Sequence, residues 1–468
     1  MSSLAIRPQV VAPLDSAVLP SVLWNRAFRS EVAKDPGAQP IVIGVATGDR
    51  IVARIETQIH GVDSPGTDDN TRYIERLAKS LLWVHGGSRL IVGGNDVIAT
   101  ELARRYSSGG ERAFDADLLG NQIYLEPFRV ESVSLDDVPG VSAESEDLVG
   151  RHVDGCRIGF DLGGSDRKAA AVIDGEVVFS EEIEWNPYFE SDPQYHFEGI
   201  VDSLKRAARH LPRIDAIGGS AAGVYVANEV RAASLFRGVS KTDFASRVRR
   251  IFFDVMSEMG WAEKPWRVVN DGEVTALAGS MSIGGNSLLG LSMGTSFAAG
   301  YVTSSGNLST GLNELAFVPV DHRTEGPVDE WSGDVGCGVQ FFSQQGVARL
   351  AALAGIAFDE KMPFPERLKE VQGLMKAGDK RASDIYRTIG INFGYTIAQF
   401  SELYALEHLL ILGRVTSGAG GEVILKAARE VLDTEFPELS PSIEFHIPDE
   451  KQKRHGQAVA AASLAAIG

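Results

Sequence analysis

Apolar and polar positions alternate with two different periods along the first part of the chain. The run "PIVIGVATGDRIVARIETQIHG" predicts two strands around a Gly-Asp turn, and "RLIVGG" predicts a third, buried strand. Helical spacing of the apolar residues in "DNTRYIERLAKSLLWVHGG" predicts an Asn-capped helix, and "NDVIATELARRY" predicts another helix. A short helix is also expected around Trp24 to Val32. These elements together predict a small α/β unit.

The later part of the chain follows one plan twice. A hairpin, "CRIGFDLGG" followed by "KAAAVIDGEVVFSEEI", leads into a helix, the strand "DAIGGSAAG", the helix "KTDFASRVRRIFFDVMSEMG" and the strand "WRVVND". A second hairpin, "NSLLGLSMGTSFAAGYVTSSG", is followed by helical segments, the strand "EHLLILG" and the helix "EVILKAAREVL". The repetition predicts two related α/β halves.

The stretch between the first unit and these halves has no periodicity. From Ser134 to Gly150 the sequence "SLDDVPGVSAESEDLVG" is acidic and contains Pro and Gly, so a linker and a solvated loop within a domain are both open. A chain of 468 residues is too long for one core. We therefore predict an N-terminal extension over 1–150, a first lobe over 151–285 and a second lobe over 286–468.

Composition narrows the classes of function. The formal net charge of -18 argues against a nucleic-acid partner, because phosphate binding needs clustered Lys and Arg. The two cysteines, Cys156 and Cys337, have no Cys or His nearby at metal-ligand spacing, which fits a reducing cytoplasm and argues against a zinc site. No stretch approaches the length of a membrane span. We expect a cytoplasmic protein without nucleic-acid or membrane partners, with a homodimer among the open oligomeric states.

Two glycine turns and one glycine-rich helix start are candidates for phosphate and nucleotide binding. Successive Gly amides can converge on an anion because no Cβ stands in the way, although a Gly-Gly reversal on its own is more often just a turn. Two such turns in two halves of the chain could hold a polyphosphate from both sides, and a positive φ is expected at Gly294. The residues concerned are Asp161, Gly163, Gly164, Ser165 and Lys168 in the first turn, Gly294, Thr295 and Ser296 in the second, and Gly418, Gly420 and Gly421 at the helix start.

Asp271 is the candidate for acid–base chemistry. It follows the strand "WRVVN" and opens an Ala-rich helix in "WRVVNDGEVTALAG". On its own this position is more typical of a helix cap. At the carboxyl end of a strand facing a cleft, however, an Asp can accept a proton from a substrate hydroxyl.

In this order, the stretches resemble the ROK family of sugar kinases and regulators, within the actin–hexokinase–Hsp70 superfamily. "GFDLGGSDRKAAAV" and "GLSMGTSFAAGYV" are similar to its two phosphate motifs, "VVNDGEVTALAG" to its catalytic-base motif and "ILGRVTSGAGGEVIL" to its adenosine motif. "AIGGSAAGVYVANEVRAASLFRGV" lies where the family borders its sugar, and "HGQAVAAASLAA" resembles the helix that closes the fold. The resemblance covers about residues 155 to 468.

The resemblance implies an α/β fold with two ribonuclease-H-like lobes of the actin-like ATPase type and an interlobe cleft, the last helix returning to the first lobe. It implies a glucokinase-like ATP-dependent transfer to a sugar-like hydroxyl, with ATP and Mg²⁺ as cofactors. Asp271 would be the base, and Asp161 would organise Mg²⁺ directly or through water. The glycine turns would hold the phosphates and the helix start the adenosine. The substrate-binding residues would be Asn270, Glu314 and Ser234.

The sequence departs from the family where ROK kinases bind zinc. Phe317 stands in the place of the family's His, Cys337 is the remaining cysteine and Val339 replaces a sugar-contacting Glu. We therefore expect no structural zinc, and the departures leave two alternatives to a hexose kinase. One is an inactive ROK-like regulator that binds nucleotide or sugar; the other is a kinase for a non-hexose acceptor such as a carboxylate or a cyclitol. Glu314 favours a polyhydroxy substrate over an acid.

The role of the N-terminal extension is open between three interpretations. It could cover the cleft, form a dimer or be a degenerate copy of the α/β half that follows. The order of its strands and helices slightly favours the degenerate copy. It does not resemble the basic winged helix-turn-helix of the family's repressors, because it is rich in strands and acidic.

Overall fold

The N-terminal elements form one mixed sheet covered by helices. The structure, a computed structural model, describes residue 4 and residues 6–142, 149–447 and 450–467, with backbone only for 450–455. Part of the predicted linker, 143–148, lies outside the described residues. The sheet order is β2-β1-β3-β4. The elements are α1 (Ser21–Val32), β1 (Gln39–Thr47), β2 (Arg50–Ile59), α2 (Asn70–His85), β3 (Arg89–Gly93), α3 (Asp96–Arg105), α4 (Ala113–Ala116) and β4 (Arg129–Val133), with a π-helical turn over Asp117–Tyr124.

The first lobe is built on a five-stranded sheet in the order β11-β8-β5-β6-β7. Its strands β5, β8 and β11 are parallel, and the hairpin β5–β6–β7 is antiparallel. The elements are β5 (Cys156–Leu162), β6 (Asp166–Ile173), β7 (Glu176–Glu184), α5 (Pro193–Ala208), β8 (Ala216–Ala221), β9 (Val224–Val226), β10 (Glu229–Ala232), α6 (Lys241–Asp243), α7 (Ile251–Glu258), β11 (Trp266–Asn270) and α8 (Asp271–Ile283).

The second lobe repeats this arrangement with the order β13-β12-β14-β15. Here the hairpin β12–β13 is antiparallel, and β12, β14 and β15 are parallel. The elements are β12 (Leu288–Met293), β13 (Phe297–Val302), α9 (Val339–Phe342), α10 (Gln344–Leu353), α11 (Phe364–Lys376), α12 (Lys380–Phe400), β14 (His408–Leu412), α13 (Ala419–Glu435), β15 (Glu444–His446) and α14 (Glu450–Ala462). In the described residues, no helix combines the length and apolarity needed to cross a lipid bilayer.

The last helix, α14, lies against the sheet of the first lobe. Glycines on two neighbouring strands allow this close approach, since a Cβ on Gly159 would lie 2.4 Å from the Ala458 carbonyl oxygen and one on Gly218 would lie 1.8 Å from that of Ala461. A small core of α8, β12, β14 and α14 residues joins the two lobes behind the cleft.

The N-terminal extension shares a hydrophobic core with the second lobe. A single cluster contains Trp24, Phe28 and Trp83 from the extension together with residues from Leu289 to Ile443 of the second lobe. The first lobe has its own core, which includes Phe160 and Phe252. The degenerate-copy interpretation of the extension is not supported by the strand directions, because β1 and β3 are antiparallel whereas the corresponding strands of both lobes are parallel.

Two local predictions differ from the structure. Asn70 does not cap α2; its side chain accepts from the His60 amide and donates to the His60 carbonyl, both at 2.9 Å, and so fixes the preceding loop. The helix predicted from Lys241 is interrupted by a π-helical turn over Phe244–Val248. The interruption frees the Arg249 carbonyl, which accepts from the Val230 amide at 3.0 Å and ties the segment to β10.

Candidate functional site

Asp161 lies near the carboxyl end of β5, where its neighbours on both sides are polar. Ser220 of the parallel strand β8 is its register partner and donates to Asp161 Oδ1 at 2.5 Å. Lys168 is its partner on the antiparallel strand β6, with Nζ 3.5 Å from Asp161 Oδ2 and 3.0 Å from Asp166 Oδ1. The carboxylate is therefore held by two side chains but is still partly exposed.

The first glycine turn connects β5 to β6 directly after Asp161. The Gly163 amide donates to the Asp166 carbonyl at 2.9 Å, and the Gly163 carbonyl accepts from Trp185 Nε1 at 2.7 Å. A Cβ on Gly164 would lie 2.1 Å from the Tyr188 hydroxyl, so only glycine fits there. Ser165 is exposed at the tip. The turn is thus rigid and open on one side.

The second glycine turn, between β12 and β13, has the same construction. The Gly294 amide donates to the Ser296 carbonyl at 2.9 Å, and Thr295 and Ser296 are exposed. The prediction of a positive φ at Gly294 is wrong. A Cβ on Gly294 would meet no atom nearer than the Ser296 carbonyl oxygen at 3.9 Å, so the turn leaves open space rather than requiring a special backbone conformation.

The glycines at the start of α13 divide into two kinds. Gly418 precedes the helix with a φ of 71°, and a Cβ there would meet nothing within 4 Å. Gly420 and Gly421 are buried and face Tyr386 and the Thr416 carbonyl. Their small size therefore serves helix packing, while Gly418 faces free space.

Asp271 is the first residue of α8, and the helix is capped by its neighbour. Asn270 Oδ1 accepts from the Gly272 amide at 2.7 Å, and Asn270 Nδ2 donates to the Gly223 carbonyl at 2.7 Å. Glu273 completes a capping box by accepting from the Asn270 amide at 2.9 Å. Asn270 therefore makes the cap that the sequence also allowed for Asp271, and its side chain is engaged within the protein. The carboxyl of Asp271 accepts from the adjacent Gly272 amide at 3.0 Å and from its own backbone amide.

Three partly buried carboxyl groups influence one another at this point. Burial, and then the charge of Asp161, raise the pKa of Asp271 to about 6. Burial, and then the charge of Asp271, raise the pKa of Glu314 to about 7. Burial also raises the pKa of Glu273 to about 7. An Asp with a pKa of about 6 is mostly ionised at neutral pH yet basic enough to accept a proton, which is the property that general bases require.

A cavity of about 710 Å³, which we call the cleft cavity, has Glu314 in its wall, whereas Asp161, Asp271 and Glu273 are not among its lining residues. Both Glu314 and Ser234 line it, together with Gly223, whose carbonyl Asn270 holds. Its volume lies in the range of small-molecule sites. The N-terminal extension contributes a further group of lining residues that the sequence analysis missed, namely Trp83, Asp117, Leu118, Asn121, Gln122 and Ile123.

The comparisons with known proteins bear on the fold. No family model matches the chain, and no curated protein matches it. A ROK hexokinase from Thermus thermophilus superposes with a TM-score of 0.50 at 20% identity, over 65% of this chain and 97% of its own. The fold is that of ROK kinases. The predicted fold class, two lobes of the actin-like ATPase type with a cleft between them, is therefore confirmed.

Two further solved structures match with lower scores. A ROK-family transcriptional regulator, a homologue of the E. coli MLC protein, has a TM-score of 0.49 at 16% identity over 69% of this chain and 80% of its own. A ROK glucokinase from Streptomyces griseus, solved with glucose and AMPPNP, has a TM-score of 0.44 at 20% identity over 66% and 99%.

Where ROK resemblance leads one to expect zinc ligands, the structure has a buried ion cluster. Cys337 is fully buried, and its thiol donates to Asp334 Oδ2 at 3.4 Å. Asp334 also contacts Lys79 Nζ and Arg76 Nη1, each at 3.1 Å. Val339 and Phe317 are buried, and Phe317 packs on Trp83 at 4.3 Å between ring centroids. The ion cluster comprises Glu75, Arg76, Lys79, Arg112, Asp115 and Asp334.

A different group has the composition of a metal site in the described residues. His408 and His446 approach to 3.0 Å between Nδ1 and Nε2, with Glu444 Oε2 3.8 and 4.0 Å from these atoms. The three residues lie on the neighbouring strands β14 and β15, and Glu444 is mostly exposed.

We expect purified protein to contain far less than one zinc per chain after dialysis against a chelator, because the ROK cysteine ligands are missing. Elemental analysis measures this, and His446→Ala is the matched control. About one zinc per chain in the dialysed wild type would contradict the prediction. Loss of that zinc in His446→Ala would then place it at the His408 group.

Proposed function

We propose that the protein is an ATP-dependent kinase that transfers the γ-phosphoryl group of ATP to a hydroxyl of a sugar or sugar-like molecule. The observation that carries the proposal is the partly buried carboxyl of Asp271, whose pKa burial and the charge of Asp161 raise to about 6. The charge of Asp271 in turn acts on Glu314, which lines the cleft cavity. A carboxyl that only capped a helix would not need this burial, since Asn270 already makes the cap.

In the proposed reaction, Asp271 accepts the proton of the substrate hydroxyl as the hydroxyl oxygen bonds to the γ-phosphorus. The bond from that phosphorus to the β,γ-bridging oxygen breaks, and ADP leaves. Glu314 and Ser234, which line the cavity, are the candidates for orienting the substrate hydroxyls. Asn270 would be a positioning residue, because its side chain binds the Gly272 amide at the start of α8 and the Gly223 carbonyl in the cavity wall. Such catalysis rests largely on positioning.

The glycine turns are proposed to hold the phosphates. Gly163 and Gly294 close the two turns through their own amides, which donate to the Asp166 and Ser296 carbonyls. The rest of each turn, Gly164 and Ser165 on one side and Thr295 and Ser296 on the other, would face the phosphates, with Lys168 beside the first turn. Gly418 leaves open space at the start of α13 for the adenosine. Gly420 and Gly421 would contribute through close packing of that helix.

Asp161 is the candidate ligand for Mg²⁺, directly or through water. The donor set fits, because Asp161 raises the pKa of the neighbouring Asp271, so two carboxylates lie close together with one lysine beside Asp161. Mg²⁺ prefers carboxylate oxygens and usually keeps several waters. When bound, the ion would neutralise charge on the phosphates.

The proposal is tested by measuring ADP release and phosphorylated product with ATP and Mg²⁺ across hexoses, N-acetylhexosamines, cyclitols and sugar acids. ATP with Mg²⁺ is also expected to raise the melting temperature, since a ligand at a hundredfold excess over its Kd stabilises the native state by roughly 2.7 kcal/mol. In Gly294→Val this shift should be lost with little loss of stability, because the new side chain fills ligand space and its Cβ lies no nearer than 3.9 Å to a protein atom.

Gly109→Val is the matched control, since Gly109 is exposed and also has nothing within 4 Å of a Cβ. Equal ATP shifts in wild type and Gly294→Val would remove the turn from the site. ATP binding without turnover on any acceptor would overturn the kinase proposal and support a nucleotide-binding regulator.

A further inference from the structure

One short segment of the first lobe gives the cleft cavity a positive wall. Between residues 231 and 249 it contributes four cationic side chains, Arg231, Arg237, Lys241 and Arg249. The acidic residues that line the cavity are Asp117 and Glu314. The chain as a whole carries a net charge of -18. The residues that line the cavity nevertheless include twice as many cations as acids.

Arg231 and Arg249 are less exposed than the other two cations, and Arg231 is largely buried. Its side chain is only 10% exposed, with Nη2 3.2 Å from Glu229 Oε2. Its Nε and Nη1 atoms are buried and have no hydrogen-bond partner among the described residues, and the same holds for Nε of Arg249. Burial, and the nearby Arg249, lower the pKa of Arg231. Because buried N–H groups without partners are costly, these N–H groups favour an acceptor bound in the cavity.

The two acids of the cavity do not supply that acceptor. Asp117 accepts from Asn121 Nδ2 at 2.9 Å and from Gln122 Nε2 at 2.8 Å, so both of its oxygens are engaged. Glu314 lies beside Asp271, and burial raises its pKa to about 7, so its negative charge is reduced at neutral pH. The cavity therefore keeps a positive wall next to groups suited to hydroxyls.

We propose that the substrate is an acidic polyhydroxy compound, whose carboxylate or phosphate is bound by Arg231 and Arg249 while a hydroxyl faces Asp271. This inference rests on the proposed kinase function for the hydroxyl and deepens it by naming the substrate class. An oxyanion accepts hydrogen bonds from Nε and Nη1 of Arg231, and charge-assisted bonds of this kind are the strong ones. Glu314 would repel an acid placed beside it, so the hydroxyls belong at Glu314 and the anionic group at Arg231.

The test compares glucose with glucuronate, gluconate and glucose 6-phosphate as probes, by calorimetric binding without ATP and by turnover with ATP and Mg²⁺. Wild type should bind at least one anionic probe more tightly than glucose, and the carboxylate and phosphate probes distinguish the two forms of the anionic group. In Arg231→Gln the Kd and KM for that probe should rise on the order of 10- to 100-fold, with little change for glucose. Arg231→Lys keeps the charge and should lose less.

Arg213→Gln is the matched control, because Arg213 is two-thirds exposed and pairs with Asp215 outside the cavity. Glucose bound as well as or better than every anionic probe would overturn the inference while leaving the kinase proposal intact. Tight, Arg231-dependent binding of an acid without turnover would support the inference about the anionic group and overturn the kinase proposal. If Arg231→Gln does not fold, the same comparison in Arg249→Gln decides, and an unchanged Kd there counts against the inference.

Discussion

Replacing Asp271 with Asn is expected to lower the rate of phosphorylation on the order of 10²-fold or more, the usual scale for losing a positioned general base. Asn keeps the size and most of the hydrogen bonding of Asp but cannot accept the hydroxyl proton. ATP affinity should stay nearly unchanged, because the proposed adenosine and phosphate contacts lie on the glycine turns. The acceptor found in the panel assay serves as substrate, and single-turnover kinetics measure the rate.

The stability of Asp271→Asn distinguishes a catalytic role of Asp271 from a role as helix cap. Because Asn270 caps α8, and because the partly buried Asp271 is repelled by Asp161, Asp271→Asn should be at least as stable as wild type. Asp96→Asn is a matched control, since Asp96 is also the first residue of a helix behind an Asn cap but is exposed. It should leave activity unchanged. Full activity in Asp271→Asn would refute the role of the base.

The pH dependence gives an independent check on the same residue. The base must be ionised to accept a proton, and the pKa of Asp271 is raised to about 6. The kcat/KM of wild type should therefore fall as the pH drops below about 6, and the residual activity of Asp271→Asn should lack this decline. A profile that is flat down to pH 5 would contradict the assignment.

The elements that the sequence predicted well are those specified by local patterns. Alternating apolar residues around a Gly turn give both hairpins, and the strand that ends at Asn270 is followed by a helix as its Ala-rich pattern indicates. These patterns also brought Asp161 and Asp271 to one site, because the ends of parallel strands meet at one edge of a sheet.

What the sequence did not predict depends on contacts between distant segments. The choice of Asn270 over Asp271 as cap depends on Gly223, which lies in another loop. The π-helical turn at Asp117–Tyr124 lines the cleft cavity because the extension shares a core with the second lobe and because the turn itself contacts β9 and β10 of the first lobe. No local pattern of apolar and polar residues predicts the contact between the extension and the lobes.

The buried ion cluster is the clearest case, since nothing in the local sequence of α2, of the segment around α4 or of the loop with Asp334 marks these charged residues as buried. Lys79 has no exposed surface, and Nζ lies 2.7 Å from Asp115 Oδ2. Its six members carry three positive and three negative charges, which are contributed by α2, by the segment around α4 and by the loop before Cys337. That loop also carries Trp331, which packs on Phe114 and lines the cleft cavity. The cluster thus fixes the loop where ROK resemblance would place a zinc ion.

Asp334→Asn is expected to destabilise the protein by about 3–5 kcal/mol, the scale for removing one partner of a buried ion pair. The change leaves three buried cations, Arg76, Lys79 and Arg112, facing two carboxylates. Urea unfolding followed by circular dichroism measures the effect. Glu111→Gln is the matched control, because the Arg104–Glu111 pair is exposed and such pairs contribute about 1 kcal/mol or less.

The pH dependence of the difference in stability between wild type and Asp334→Asn tests whether the ionised carboxylate of Asp334 causes it. Although burial acts to raise it, the charges of Lys79, Arg76 and Arg112 hold the pKa of Asp334 well below its ordinary value. The stabilisation by Asp334 is therefore fully present above its unfolded-state pKa of roughly 3.9 and is lost as the pH falls towards the lower folded-state value. The gap in stability between wild type and Asp334→Asn should shrink below about pH 4. A gap of less than about 1 kcal/mol at neutral pH would show that the cluster does not anchor the loop.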